Sequence, residues 1–263
     1  MNNKKTNIAF KYNYCDGGKT LDRFGFDGIC SDEIIRYNAE IAQRAWCSHA
    51  DCPCKQYNDG KISEEKLLNI AEDCGGCVCQ ESGFFGCWCA NAERDIEKDK
   101  PRRILQAQKN SLAILTTREP YAREDKRFIF AVFLIGEYFE GDDDESGYVK
   151  ANPDWKIELT RWEAYKMPFW KYHANNTHNN AYKAFWGNGL FHYIPDAEAV
   201  QILRDITNVI NIRPITPLLK TQEFMLPIQI HRKKHAEKFL QYYCEINHIN
   251  AEDVPQPNGA ILQ

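Results

Sequence analysis

Eleven of the 263 residues are cysteine, and eight of these, Cys47, Cys52, Cys54, Cys74, Cys77, Cys79, Cys87 and Cys89, fall between positions 47 and 89. Thiols gathered this densely form disulfides in an oxidising compartment or hold metal in a reducing one. The N-terminal MNNKKTNIAFKYNYCDGG has no apolar run followed by a small-residue cleavage site, so no secretory leader is expected. A cytoplasmic chain with reduced, metal-binding thiols is the reading that follows.

A structural zinc site takes four thiolate or imidazole ligands in a tetrahedron, with some supplied by one tight turn. Cys52-Pro53-Cys54 provides such a turn, and Cys47 lies five residues upstream of Cys52. Cys79 follows the next predicted helix and returns the chain to the same place, so the expected zinc ligands are Cys47, Cys52, Cys54 and Cys79, with His49 competing for one position. The remaining Cys74, Cys77, Cys87 and Cys89 can hold a second metal or stand as unpaired thiols. Cys₄ sets suit zinc and iron–sulfur clusters alike, and spacing does not separate them. Catalytic zinc leaves a coordination position open and favours His or carboxylate, so this metal is expected to fold its module without doing chemistry.

A second group with chemical potential is aromatic. Trp155, Trp162, Trp170 and Trp186 lie among several Tyr and Phe between positions 148 and 193, a density that can stack a planar base or simply fill a core. The polar run from His173 to Asn180 reads as a surface loop able to hydrogen-bond a ligand. The net charge of -4 excludes a protein that coats nucleic acid by bulk charge, so phosphate contacts need a local patch. Positions 101–127 supply one, with seven basic residues against three acidic, followed by six acidic residues in 137–145. Arg232-Lys233-Lys234 is another.

Several elements must position these groups. Ile8–Tyr14 reads as a strand, and a helix should run from an N-cap at Ser31 to about Trp46 and deliver the chain to Cys47. Another starts at Ser63 and ends at the Cys74-Gly75-Gly76-Cys77 turn. The charged stretch 93–100 marks a boundary, after which Leu112–Thr117, Arg127–Phe139 and Tyr148–Leu159 read as strands. Arg127–Phe139 is apolar on both faces and should be central. Thr160-x-x-Glu163 is a capping box that starts a short helix, and Asp196–Ile210 and Arg232–Asn247 are helical by their apolar period. Strands followed by helices, without βαβ repeats, indicate an α+β fold. No apolar run is long enough to cross a bilayer as a helix, so no membrane partner is expected.

The order of Leu112–Arg118, Arg127–Ile135, an acidic turn, Trp155–Leu159 and the Thr160-capped helix resembles the PUA-like superfamily, and EVE domains in particular. The resemblance covers about residues 105–170 and is one of topology. It implies a mixed or antiparallel sheet or barrel flanked by helices, built from 1–30 and 101–195, with 31–100 as an inserted cysteine-rich, zinc-binding helical module and 196–263 as a helical extension. It also implies recognition of a modified base in DNA or RNA, within restriction, defence or modification systems, by stacking in an aromatic pocket; Trp155, Trp162, Trp170 and Trp186 are the residues this sequence offers for that role.

The function expected is thus a metal-stabilised nucleic-acid-binding protein more than an enzyme. The alternative is a Mg²⁺-dependent restriction-type nuclease, for which Asp154-Trp155-Lys156 supplies D-x-K and Asp142 to Asp144 the acidic partners. A protein-binding module is the third reading, and its mark would be an exposed apolar patch.

Overall fold

The structure, a computed structural model, describes residues 5–95, 98–176, 183–210 and 222–260. The strands are β1 (Asn7–Lys11), β2 (Cys89–Asn91), β3 (Arg94–Asp95), β4 (Lys100–Pro101), β5 (Leu112–Thr117), β6 (Phe128–Gly141), β7 (Ser146–Glu158) and β8 (Phe191–Ile194). Six of them form one mixed sheet in the order β2-β7-β6-β5-β1-β8, while β3 and β4 make a separate two-stranded ribbon. Within the sheet only β1 and β5 run parallel. A parallel pair needs a long crossover. Here that crossover is the whole cysteine-rich segment, with α1 (Asp32–Arg36), α2 (Pro53–Asn58), α3 (Glu64–Asp73) and α4 (Phe84–Cys87). Helices α5 (Arg161–Ala164), α6 (Asp196–Val209) and α7 (Gln222–Ile246) complete the α+β fold.

The strands stand where their composition puts them. β5 is buried along its whole length and β6 is buried from Phe128 to Ile135, so β6 lies inside the sheet between β5 and β7. The β6–β7 ladder breaks opposite Leu134, where β7 carries the extra residues 152–155. Pro153 falls in this bulge, where it removes no ladder hydrogen bond. Gly136 faces it, and a Cβ there would come within 2.9 Å of the Asn152 Cα. Thr160 caps α5 through both bonds of the capping box.

Three expectations change. The helix from Ser31 ends early: α1 passes at Tyr37 into a π-helical turn over Tyr37–Ile41. Pairing occurs on both sides of the boundary expected at 93–100: β2 joins the central sheet beside β7, and β3 pairs with β4 in the ribbon. The cysteine-rich segment therefore shares the sheet of the β-rich core. Finally, β2 and β8 are both edges, so the described residues form an open sheet and no closed barrel. No helix among the described residues is long and apolar enough to cross a membrane.

One buried side chain joins four elements. Asn7, 1% exposed, donates to the Ile194 carbonyl and to Asp196, while its oxygen accepts from the Leu112 N–H and the Tyr243 hydroxyl. Asn7→Leu strands the Leu112 N–H away from water, at about 1–3 kcal/mol for a buried unpaired group, and takes one donor from Asp196, while the Tyr243 hydroxyl keeps Asp196 as its acceptor. We expect a loss of about 2 kcal/mol in urea unfolding. A variant as stable as the parent would show that water replaces the side chain.

Candidate ligand cleft and cysteine cluster

A cleft of about 850 Å³ opens between the cysteine-rich segment and the β2 edge of the sheet. That is within the size range of small-molecule sites. Trp46 and His49 form one wall, their rings stacked at 5.9 Å between centroids. Both belong to the turn after the π-helical segment. Tyr148 of β7 and Asn91 of β2, cross-strand partners, line it as well. Glu81 and Glu93 also line the cleft, with Arg94, Asp99 and Cys79.

The two carboxylates are held by different means. Glu81 is 5% exposed and accepts both the backbone N–H and the side-chain amide of Asn13. Glu93 has a left-handed backbone, φ +54°, unusual for a residue with a Cβ and found most often where structure around it enforces it. Its N–H donates to Asn91 and its carbonyl accepts from the Ser146 hydroxyl and the Arg102 N–H. Burial, then the neighbouring Glu81 charge, push the Glu93 carboxyl up to about 7, against the opposing pull of Arg102. The cleft therefore offers acceptor oxygens at Glu81 and, at Glu93, a carboxyl that still carries its proton in part near neutral pH and can then donate.

Behind this cleft lie the thiols. Cys52 and Cys54 are buried in a small core with Ile35 and Leu67, against which Cys30, Trp46 and Val78 pack. The Cys52-Pro53-Cys54 turn is the start of α2, with Cys52 at the N-cap and Pro53 in the first turn. A thiol hydrogen bond with Cys54 holds Cys52 down to about 7, and the same bond raises Cys54. Cys47 is half-buried, its thiol raised first by burial and then by Glu81 and Cys52. The Cys79 sulfur accepts from the Ser82 N–H at 3.4 Å. His49, the competing ligand, faces the cleft beside Trp46 and pairs with Asp51 at 3.6 Å.

The second set also forms neighbours. Cys87 is held down to about 6 by its hydrogen bond with Cys89, and Cys77 is raised by burial and then by Cys74 and Cys87. Among the described residues, no group of three or more His, Cys, Asp or Glu side chains is arranged to hold a metal ion. Six of the thiols are hydrogen-bonded in pairs, Cys15 with Cys30, Cys52 with Cys54 and Cys87 with Cys89.

Cys15 and Cys30, outside the dense window, form one of these pairs, with their sulfurs 2.9 Å apart. The loop between them closes because Gly17 and Gly28 touch, and a Cβ on Gly17 would lie 1.9 Å from the Gly28 carbonyl oxygen. Asp16 then clamps Ser31, accepting its N–H at 2.8 Å and its hydroxyl at 2.7 Å. The sequence signal was the matching flanks, Cys15-Asp16-Gly17 and Asp27-Gly28-Ile29-Cys30.

The four tryptophans expected to stack a base do not share a pocket. Trp170 and Trp186 are 0% and 2% exposed, 6.1 Å apart, with the buried Arg127 guanidinium over Trp186. Trp155, in the β7 bulge, stacks on Tyr242 and His235 of α7. Trp162 is 57% exposed. Helix α7 packs on Trp155, and α6 meets the buried end of the segment through Asp205 on Tyr172 and Glu198 on His173. The nuclease residues are also apart: Asp154 is at least eight strand positions from the Asp142–Asp144 turn, roughly 25 Å at about 3.3 Å per residue. His173 pairs with Glu198, and His178 lies outside the described residues.

The basic stretch is largely neutralised. Arg102 pairs with Asp95, Arg103 with Glu140, Arg123 with Asp125, and both Arg118 and Arg127 with Glu124. In the C-terminal patch Arg232 grips Glu163 through two nitrogens.

No protein family, curated protein or solved structure that was compared matches the chain.

Proposed function

We propose that the protein binds nucleic acid by taking a single base into the cleft between the cysteine-rich segment and the β2 edge, and that reduced cysteines hold a structural metal of the zinc class behind it. The observation that carries this reading is the combination of stacking planes, Trp46 with His49 and Tyr148, with the buried carboxyl pair Glu81 and Glu93 in one cleft of base-admitting size. A carboxylate accepts from an exocyclic amino group, and a protonated carboxyl donates to a ring nitrogen. Bases that present both, cytosine and adenine, are the class that this pair suits. The volume exceeds that of a bare base and leaves room for a substituent on the ring, which agrees with the modified-base role that a PUA-like relationship implies. The pairing of five of the seven basic residues of 101–127 with acidic ones favours recognition through the base over coating of the backbone.

Fluorescence anisotropy with single-stranded and duplex oligonucleotides, with and without cytosine or adenine modifications, tests the reading. Stacking on an aromatic side chain contributes about 1–3 kcal/mol. Trp46→Ala should therefore weaken binding about 5- to 150-fold at ~1.4 kcal/mol per decade, read at a temperature where both proteins are folded because Trp46 also packs on the Cys52–Cys54 core. Equal binding by parent and variant, or no binding by the parent, would overturn it. Running the same oligonucleotides with Mg²⁺ separates retention from cleavage, and Mg²⁺-dependent product would favour the nuclease.

A further inference from the structure

We infer that Cys15 and Cys30 are ligands of the metal, a thiophilic divalent cation of the zinc class, and that they share it with Cys54 and Cys79. This rests on the reading that the cysteines hold metal, and it replaces Cys47 and Cys52 of the spacing-based set by two residues from another part of the chain.

The Cys15 and Cys30 sulfurs approach to 2.9 Å, well beyond the ~2.05 Å of a disulfide yet closer than side chains held only by packing need to be. Such a pair is built to share something. The loop that carries it is bonded to the loop that carries Cys79. Gly28 accepts the Cys15 thiol at 3.6 Å, its N–H donates to the Ser82 carbonyl at 2.7 Å, and the Ser82 N–H donates to the Cys79 sulfur at 3.4 Å. Backbone N–H donation to a sulfur is the outer-shell contact that orients thiolate ligands. On its other side Cys30 packs against the small core that holds Cys54. After Cys15, the charges that bear most on Cys30 are those of Cys79 and Cys54. Cys47 and Cys52 are not among the main influences on Cys30.

The pairwise arrangement fits thiols that still carry their protons, since each can donate to only one neighbour. Coordination removes four protons to solvent and leaves four thiolates on one dication. At a Zn–S distance of about 2.3 Å, tetrahedral geometry sets the sulfurs about 3.8 Å apart. Reaching it means opening the Cys15–Cys30 pair by under ~1 Å and drawing Cys54 and Cys79 onto it. Because β1 runs into the Cys15 loop and Cys79 lines the cleft, such a metal fastens one wall of the cleft to the central sheet.

The test uses the full-length chain, purified with reductant, its metal measured by elemental analysis and exchanged for Co²⁺. The double variant Cys15→Ser/Cys30→Ser should lose about one equivalent of metal and the matching share of thiolate-to-cobalt absorption, while Cys47→Ser keeps both. Cys30→His guards against a simple folding failure. As a ligand it should retain the metal and move the cobalt bands toward those of a three-sulfur, one-nitrogen set. Full metal content in the double variant, or an unshifted spectrum in Cys30→His, overturns the assignment and leaves the metal reading intact. A wild-type protein without metal, or with Cys15 and Cys30 recovered as a disulfide from reducing cells, overturns it at the level of the metal reading itself.

Discussion

Phe130→Ala lowers the stability of the protein by about 3–5 kcal/mol, the cost of truncating a core phenylalanine. Phe130 projects from β6 with 1% of its surface exposed, and it is where the two parts of the chain meet. Phe26, from the Cys15–Cys30 loop, stacks on it at 4.2 Å with the planes 9° apart. Tyr12, Phe84 and Phe85 approach edge-on at 5.9, 5.7 and 6.1 Å. The void left by alanine therefore opens at the seam between the central strand and the cysteine-rich segment. Hydrogen exchange should accelerate first in the Cys15–Cys30 loop and α4, ahead of β5 and β6. Chemical denaturation and exchange on one sample check both statements, and exchange that rises evenly over the sheet would show that the segment is not an independently released layer.

Glu93→Gln should flatten the dependence of stability on pH. The carboxyl is raised to about 7 in the folded protein, by burial and then by Glu81, from an ordinary value of 4.5. Between those values the folded chain keeps a proton that the unfolded chain has released. The resulting stabilisation is complete below pH 4.5 and disappears as pH rises through about 7, an expected loss of up to about 3 kcal/mol at 1.36 kcal/mol per unit. Glutamine stays neutral throughout. At pH 8.5 the variant should be the more stable protein by up to that amount, and at pH 4.5 the gap should close. Cys52 and Cys87, held down to about 7 and 6, titrate in the same range with opposite sign. Those thiols are common to both proteins, so the difference between the two urea series isolates Glu93. Parallel series would mean that water reaches the carboxyl freely.

Local chemistry determined a good part of the architecture. β5 occupies the predicted span, β6 and the returning β7 match within a few residues, and the Thr160 box and the Ser63 cap start α5 and α3. Each of these rests on contacts between residues close in the chain, or on an apolar pattern that one buried face imposes. The density of cysteine between 47 and 89 was equally legible, because it depends only on residue type.

Tertiary structure decided everything that joins distant residues. Cys15 meets Cys30 only because two glycines let a loop close on itself, and the pair reaches the Cys79 turn through Gly28 and Ser82. The basic and acidic blocks, separate in sequence, neutralise each other where the chain after β4 lies against the end of β6: the Ile104 N–H donates to the Glu140 carbonyl and Arg103 pairs with the Glu140 carboxylate. Within the aromatic segment Trp170 and Trp186 became core and Trp155 a partner of α7, while Trp162 stayed exposed. The cleft instead took aromatic lining from Trp46 and from His49, which the sequence offered only as a competing metal ligand, and its acid pair from Glu81 and Glu93. Glu93 differs from the other glutamates only through burial, a left-handed backbone and the charge beside it. None of the three exists before the chain has folded.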